Sequence, residues 1–180
     1  MKKIFTMFSM ILLISASQAI ASPPLKIGTV DLQRAVKECK EGVSARTELQ
    51  KKAEKFNAEL KVLQVDYKRM NDELVKDGSK LSADRRIEKE EALKKKGREF
   101  KARQRDAEEE VKEMESDDLK KLVNRLSVIM AKIGDEGKFT AILDRNNGVF
   151  YAGKEIDITS LLIKRADEEY AMQQAKNEER

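Results

Sequence analysis

Between Leu49 and Leu74, apolar or small residues recur in steps of four and three: Leu49, Ala53, Phe56, Leu60, Leu63, Tyr67, Met70 and Leu74. That is the 3.5-residue period of a coiled-coil seam, and it leaves little choice but a long helix packed along one stripe. Lys, Glu, Asp and Gln fill most positions between, as a solvated face requires. Asp77-Gly78-Ser79-Lys80-Leu81-Ser82 then interrupts the pattern. Gly78 suits the left-handed residue that closes a helix, and Ser82 is placed to cap a second one. A second stripe follows in Phe100, Gln104, Ala107, Val111, Met114, Leu119, Leu122, Leu126, Ile129 and Ile133. The step of five after Met114 rotates this stripe, and the eleven-residue spacing of Phe100, Val111, Leu122 and Ile133 absorbs the rotation. Together the two legs predict one long helical hairpin.

Ahead of the hairpin, Met1-Lys2-Lys3, the apolar run from Ile4 to Ile14 and Ala19-x-Ala21 form the pattern of a cleavable secretory leader, cut after Ala21. A membrane anchor would need about 18–20 apolar residues, more than this run supplies. The mature chain is expected to begin at Ser22 and to be exported to the periplasm. Leu25, Ile27 and Thr29 alternate with Lys26 and Gly28, which predicts a short strand with one buried face. Asp31 can cap a helix bearing Leu32, Ala35, Val36 and Cys39 on one side, and Gly42 is a candidate kink before the long helix.

Beyond the hairpin, Gly134 and Gly137 mark a helix end. From Leu119 to Ile133 the second leg is apolar on more than one side, so this end should pack against the rest of the protein. Phe139–Leu143 and Val149–Ala152 flank Asn147-Gly148 and read as a β-hairpin. Thr159 can cap a last helix carrying Leu162, Ile163, Ala166 and Tyr170. The layout expected is a leader over 1–21, a body built from 22–42 and 135–172, an arm over 43–134 with its tip near 77–82, and a frayed tail over 173–180. The fold class is α+β, predominantly α. Three short strands and one small helix cannot supply a stable core alone. Self-association through Ile27, Val30, Ile142, Leu143, Val149 and Tyr151 would solve that problem and predicts an obligate homo-oligomer.

Charged residues make up 39% of the chain and aromatics 5%, which suits long solvated helices better than one large core. The charges are segregated. Lys and Arg outnumber Asp and Glu two to one between Lys76 and Arg105, whereas Asp106–Asp118 holds eight acids and one Lys. Arg85, Arg86, Lys89, Lys94, Lys95, Lys96 and Arg98 make the arm's far end basic and favour anionic partners there. A specific nucleic-acid role is disfavoured, because the cations are interleaved with acids and the leader removes the chain from cytoplasmic DNA.

Catalytic chemistry has little to work with. Without His there is no imidazole base or ligand, and one Cys excludes paired-thiol redox and multi-Cys zinc sites. Cys39 has no partner for an intramolecular disulfide and could pair between chains or remain free; the favoured reading is a small apolar residue packed where the helix leaves the body. There is no phosphate-binding glycine loop. Asp144-x-Asn146 with Glu155 has a trace of a calcium loop, but Gly148 and Val149 stand where a ligand and the turn glycine belong. No enzyme activity, cofactor or metal is expected.

An opening strand with Ile27-Gly28-Thr29-Val30-Asp31, the charged helical hairpin, a β-hairpin around Leu143-Asp144 and Asp157-Ile158-Thr159 before a last helix occur in an order that resembles the Skp/OmpH-like periplasmic chaperones. The resemblance spans essentially the whole mature chain. It implies a homotrimer whose strands form a β-barrel body with three helical tentacles around a cavity. It also implies a holdase that binds unfolded outer-membrane proteins without ATP and prevents their aggregation. At the basic tip it implies contact with acidic clients and with anionic membrane surfaces or lipopolysaccharide. On that reading Phe56, Tyr67, Met70 and Phe100 either touch clients or pack the seam between the legs. The rival is a structural adaptor whose hairpin is a docking rod for one envelope partner.

Overall fold

The computed structural model describes residues 25–179, so the expected leader and its cleavage site lie outside the described residues. Strand β1 (Ile27–Val30) leads into helix α1 (Leu32–Glu38), which Asp31 caps by accepting the Arg34 N–H at 2.8 Å. Two long helices follow, α2 (Lys40–Asp77) and α3 (Ala83–Gly137), then strand β2 (Ala141–Asp144) and helix α4 (Thr159–Glu178). At 1.5 Å per residue, α2 is about 57 Å long and α3 about 82 Å.

The sheet differs from the expectation. β1 and β2 pair in parallel, with Ile27 opposite Ala141 and Val30 opposite Asp144. Parallel neighbours need a crossover connection, and here the crossover is α1 and the whole helical hairpin. Among the described residues, β1 is bridged on its other edge only by Asp157, with the Ile158 N–H donating to the Thr29 carbonyl at 2.9 Å. Val149–Ala152 forms no strand, so the β-hairpin is not made. A turn forms earlier than the expected Asn147-Gly148, over residues 144–147, with the Asn147 N–H donating to the Asp144 carbonyl at 3.1 Å. Asp144 accepts from the Asn146 N–H and the Asn147 side chain, and Gly148 takes φ +85°. What prevents doubling back is that the turn is already engaged. Arg145 N–H donates to the Val30 carbonyl at 2.8 Å, and the Asn146 amide donates to Asp31 Oδ1 at 2.9 Å.

Helix boundaries depart from the glycine-based reading in two places. The break before the long helix falls at Cys39, whose ψ of 150° is extended, and not at Gly42. Gly42 serves close approach instead. A Cβ there would lie 2.0 Å from the Val36 carbonyl oxygen, so the last turn of α1 can sit against the start of α2 only if that residue is Gly. At the tip, Gly78 is right-handed (φ −55°) within a short 3-10 turn. The reversal is made by Leu81 and Ser82, both extended, and Ser82 caps α3 as expected. The tail expected to fray continues as helix to Glu178.

One core unites the ends of the chain. Val30, Ala35, Cys39, Leu122, Leu126, Ile129, Ile133, Leu162 and Ala166 are buried together, with Leu32, Phe139, Ile142 and Ile158 packed around them. The two-sided apolar stretch of α3 is thus clasped between α1 and α4. Fully buried Leu126, Ile129 and Leu162 each contribute about 2–3 kcal/mol by leaving water. Polar ties close the junction. Thr159 Oγ1 accepts the Asp31 N–H at 2.9 Å, and Asp157 accepts the N–H and the hydroxyl of Thr159. Burial pushes the Asp157 carboxyl up, but the bonds from Thr159 and Arg145 outweigh it, and the net shift is downward. Asp31 is also held below the usual range, first by the Arg34 N–H and then by Asn146.

Candidate functional site

The arm's interior is thin. Along the helix pair beyond the body, only Phe56 and Ala107 are buried among the described residues, and neither belongs to the body core. Phe56, 4% exposed, lies under two cations, with Lys52 Nζ 5.0 Å and Arg103 Cζ 4.7 Å from its ring centre. Arg103 reaches across to Glu59 through Nη2 at 2.5 Å and Nε at 3.2 Å, and Lys52 pairs with Glu110 at 2.7 Å. The hydrogen bond from Arg103 holds the Glu59 carboxyl below its ordinary range, and Glu59 pushes the guanidinium up in turn. Phe56 is therefore seam, shielded by an ionic lid.

Toward the tip the seam opens. Leu60, Leu63, Met70 and Leu74 are half-buried, as is Phe100 on the return leg. Tyr67 is 39% exposed, and its ring lies over Gly97, where a Cβ would sit 3.2 Å from the ring edge. Gln104 and Leu119, both assigned to the stripe, are exposed. Leu93 and Gly97 take inward positions that the sequence reading missed. Leu93 stands seven residues before Phe100 and was recoverable from the period alone. Of the basic tip residues, Arg85, Arg86, Lys89 and Lys96 pair with Glu88, Glu90, Glu73 and Glu99. Lys94, Lys95 and Arg98 make no ion pair among the described residues.

The body candidates divide by strand face. Register puts Gly28, Val30 and Ile142 on one face and Ile27, Thr29 and Leu143 on the other. Val30 is spent inside the chain's own core and Ile142 packs against that core, so neither is a surface residue. Ile27 and Leu143 are exposed and Val149 is half-buried, while Tyr151 and its neighbour Phe150 stand almost free of contact. Phe150 was missed, although its adjacency to Tyr151 in an apolar run was a signal. Ile27 and Leu143 on the strands, and Phe150 and Tyr151 in the segment after β2, thus leave apolar side chains exposed.

A short parallel strand pair joined through a long charged helical hairpin matches the family model described as outer membrane protein (OmpH-like) over residues 26–165. The chain belongs to the Skp/OmpH-like family. Among OmpH-like relatives, a Skp-like protein of Pseudomonas aeruginosa is 27% identical over 164 residues, covering 91% of this chain and 97% of its own. A solved OmpH-like outer membrane chaperone from Caulobacter crescentus superposes with a TM-score of 0.76 at 20% identity, covering 82% of this chain and 88% of that one. The latter likeness is one of fold. The predominantly helical OmpH-like architecture with its small strand pair is therefore shared.

Proposed function

We propose that this protein is an ATP-independent periplasmic holdase. It binds unfolded outer-membrane β-barrel proteins in a cavity between helical arms and keeps them from aggregating before insertion. The strands of three copies close into a β-barrel body from which three arms extend, with 43–134 as the arm and 22–42 with 135–172 as the body. The observation that carries this reading is the OmpH-like match running unbroken through both arm and body, residues 26–165. Two strands are too few for an independent sheet, and the exposed Ile27, Leu143, Phe150 and Tyr151 give a second and third copy something to cover.

An unfolded barrel protein exposes apolar strands that aggregate through their edges. Arms offering scattered apolar groups such as Val62, Val65 and Tyr67 among many charges hold such a chain weakly at many points. The basic tip supplies attraction to anionic lipid or lipopolysaccharide. The test is aggregation of a urea-denatured outer-membrane barrel protein on dilution with the mature chain, Ser22–Arg180, its mass measured by light scattering. Suppression near one trimer per client without nucleotide is expected. No suppression at several-fold excess of folded oligomer would overturn the reading in favour of a docking rod with one folded partner.

A further inference from the structure

On one side of the seam, midway between Phe56 and the tip, the two legs part to form a groove of about 570 Å³. Its apolar wall is Tyr67, Leu93 and Phe100, and Gly97 leaves it open where any side chain would fill it. Lys94, Arg98 and Lys101 line it as well, spaced four and three along α3 so that they share one helix face. No carboxylate lines the groove, in a chain with 33 Asp and Glu. None of the three cations makes an ion pair among the described residues, although neighbouring Lys96 is paired with Glu99. Unpaired cations also occur elsewhere along the arm among the described residues, as at Lys55, Lys61, Lys68 and Lys112, but here three of them converge on one helix face beside an apolar cleft that no carboxylate lines.

Resting on the holdase reading and deepening it, we infer that this groove is a subsite for a peptide segment in which an aromatic side chain is flanked by carboxylates. The ring enters between Tyr67 and Phe100, where offset or edge-on aromatic contact is available. The flanking carboxylates reach Lys94, Arg98 and Lys101. Charge complementarity decides the class: a neutral or basic apolar segment would leave three cations unanswered at the edge of an apolar cleft. Partial exposure keeps each ionic contact weak, which suits a site that must release its occupant.

The test is calorimetric titration of the mature oligomer with a synthetic peptide bearing Phe-Asp-Asp units between Gly-Ser spacers. Variant peptides carry Ala for Phe or Asn for Asp, and vesicles rich in phosphatidylglycerol form a separate arm. Combined Lys94→Gln, Arg98→Gln and Lys101→Gln is expected to weaken the peptide about tenfold, at roughly two- to threefold per screened contact. The Ala-for-Phe peptide should weaken by a similar factor, and Lys80→Gln with Arg85→Gln, outside the groove, should leave affinity unchanged. Equal binding of the peptide to the groove variant overturns the inference. So does equal binding of the Phe-free peptide, which would mean diffuse electrostatics. Vesicle binding that depends on the three cations while the peptide fails to bind assigns them to lipid and also overturns it. The aggregation assay is run on the same variants. Suppression retained without groove-dependent peptide binding sinks the groove alone, and absent suppression by the unaltered oligomer sinks the holdase reading.

Discussion

Replacing Phe56 by Ala tests whether arm and body are separate cooperative units. Among the described residues, Phe56 is the one large buried side chain of the helix pair outside the body core, and its ring is closed over by Lys52 and Arg103. Truncating a fully buried Phe typically costs about 3–5 kcal/mol. Two helices alone enclose this one, so the legs can partly collapse onto the gap, and about 3 kcal/mol is the expected loss. The loss should appear as local opening, because neither Phe56 nor its neighbour Ala107 joins the body core. Native-state amide exchange followed by mass spectrometry reads this directly. Segments around Lys52–Glu59 and Arg103–Glu110 should exchange about 150-fold faster at 25 °C, or lose protection altogether. Segments around Leu126 and Leu162 should be unchanged. Equal loss in both sets would mean that arm and body open together, and the argument for a separate thin seam would be wrong. Unchanged arm exchange with weakened client holding would instead make Phe56 a contact residue.

Leu126→Ala, by contrast, should lower global stability by about 2–5 kcal/mol, seen as an earlier urea midpoint with all body segments losing protection together. Gly42→Ala should cost about 2 kcal/mol or more, since the new methyl meets the backbone of Val36 and not a flexible side chain; a neutral outcome in the same urea titration would contradict the close approach. Asp31 and Asp157 have carboxyls held low in the folded state, so their stabilisation is complete above the unfolded value and is lost as pH falls through the folded one. The melting temperature should therefore drop progressively as pH falls below about 5, and Asp157→Asn should flatten that slope; a parallel slope would exclude Asp157 as a contributor. Phe150→Ser with Tyr151→Ser should lower the oligomeric mass seen by light scattering, and an unchanged mass would remove these residues from the interface.

The arm was legible because its period is long and regular: Leu49 to Leu74 keeps the 3.5 spacing, and Phe56 within it is buried. Ser82 and Asp31 were legible as caps because capping chemistry is local. The sheet was not. Asn147-Gly148 between apolar runs is a strong hairpin signal, yet β2 pairs with a strand more than a hundred residues earlier, which no local pattern encodes. Gly42 and Gly78 misled for a related reason. A glycine reports that something special happens, and whether it is a left-handed turn or a close approach depends on what arrives from elsewhere. In the groove, Tyr67, Phe100, Lys94 and Arg98 were singled out separately as seam or basic tip. Their meeting around Gly97 depends on how the two legs are aligned, which the stripes alone do not fix.

The parallel pairing of β1 and β2 makes the whole hairpin a detour that leaves the body and returns to nearly the same place. Such a detour has no preferred length as far as the body is concerned. Adding or deleting one heptad in α2 together with one in α3 preserves both stripes and moves only the tip. Reach, and with it the volume several arms could surround, is a dimension that can be changed without redesigning the part that folds around Leu126.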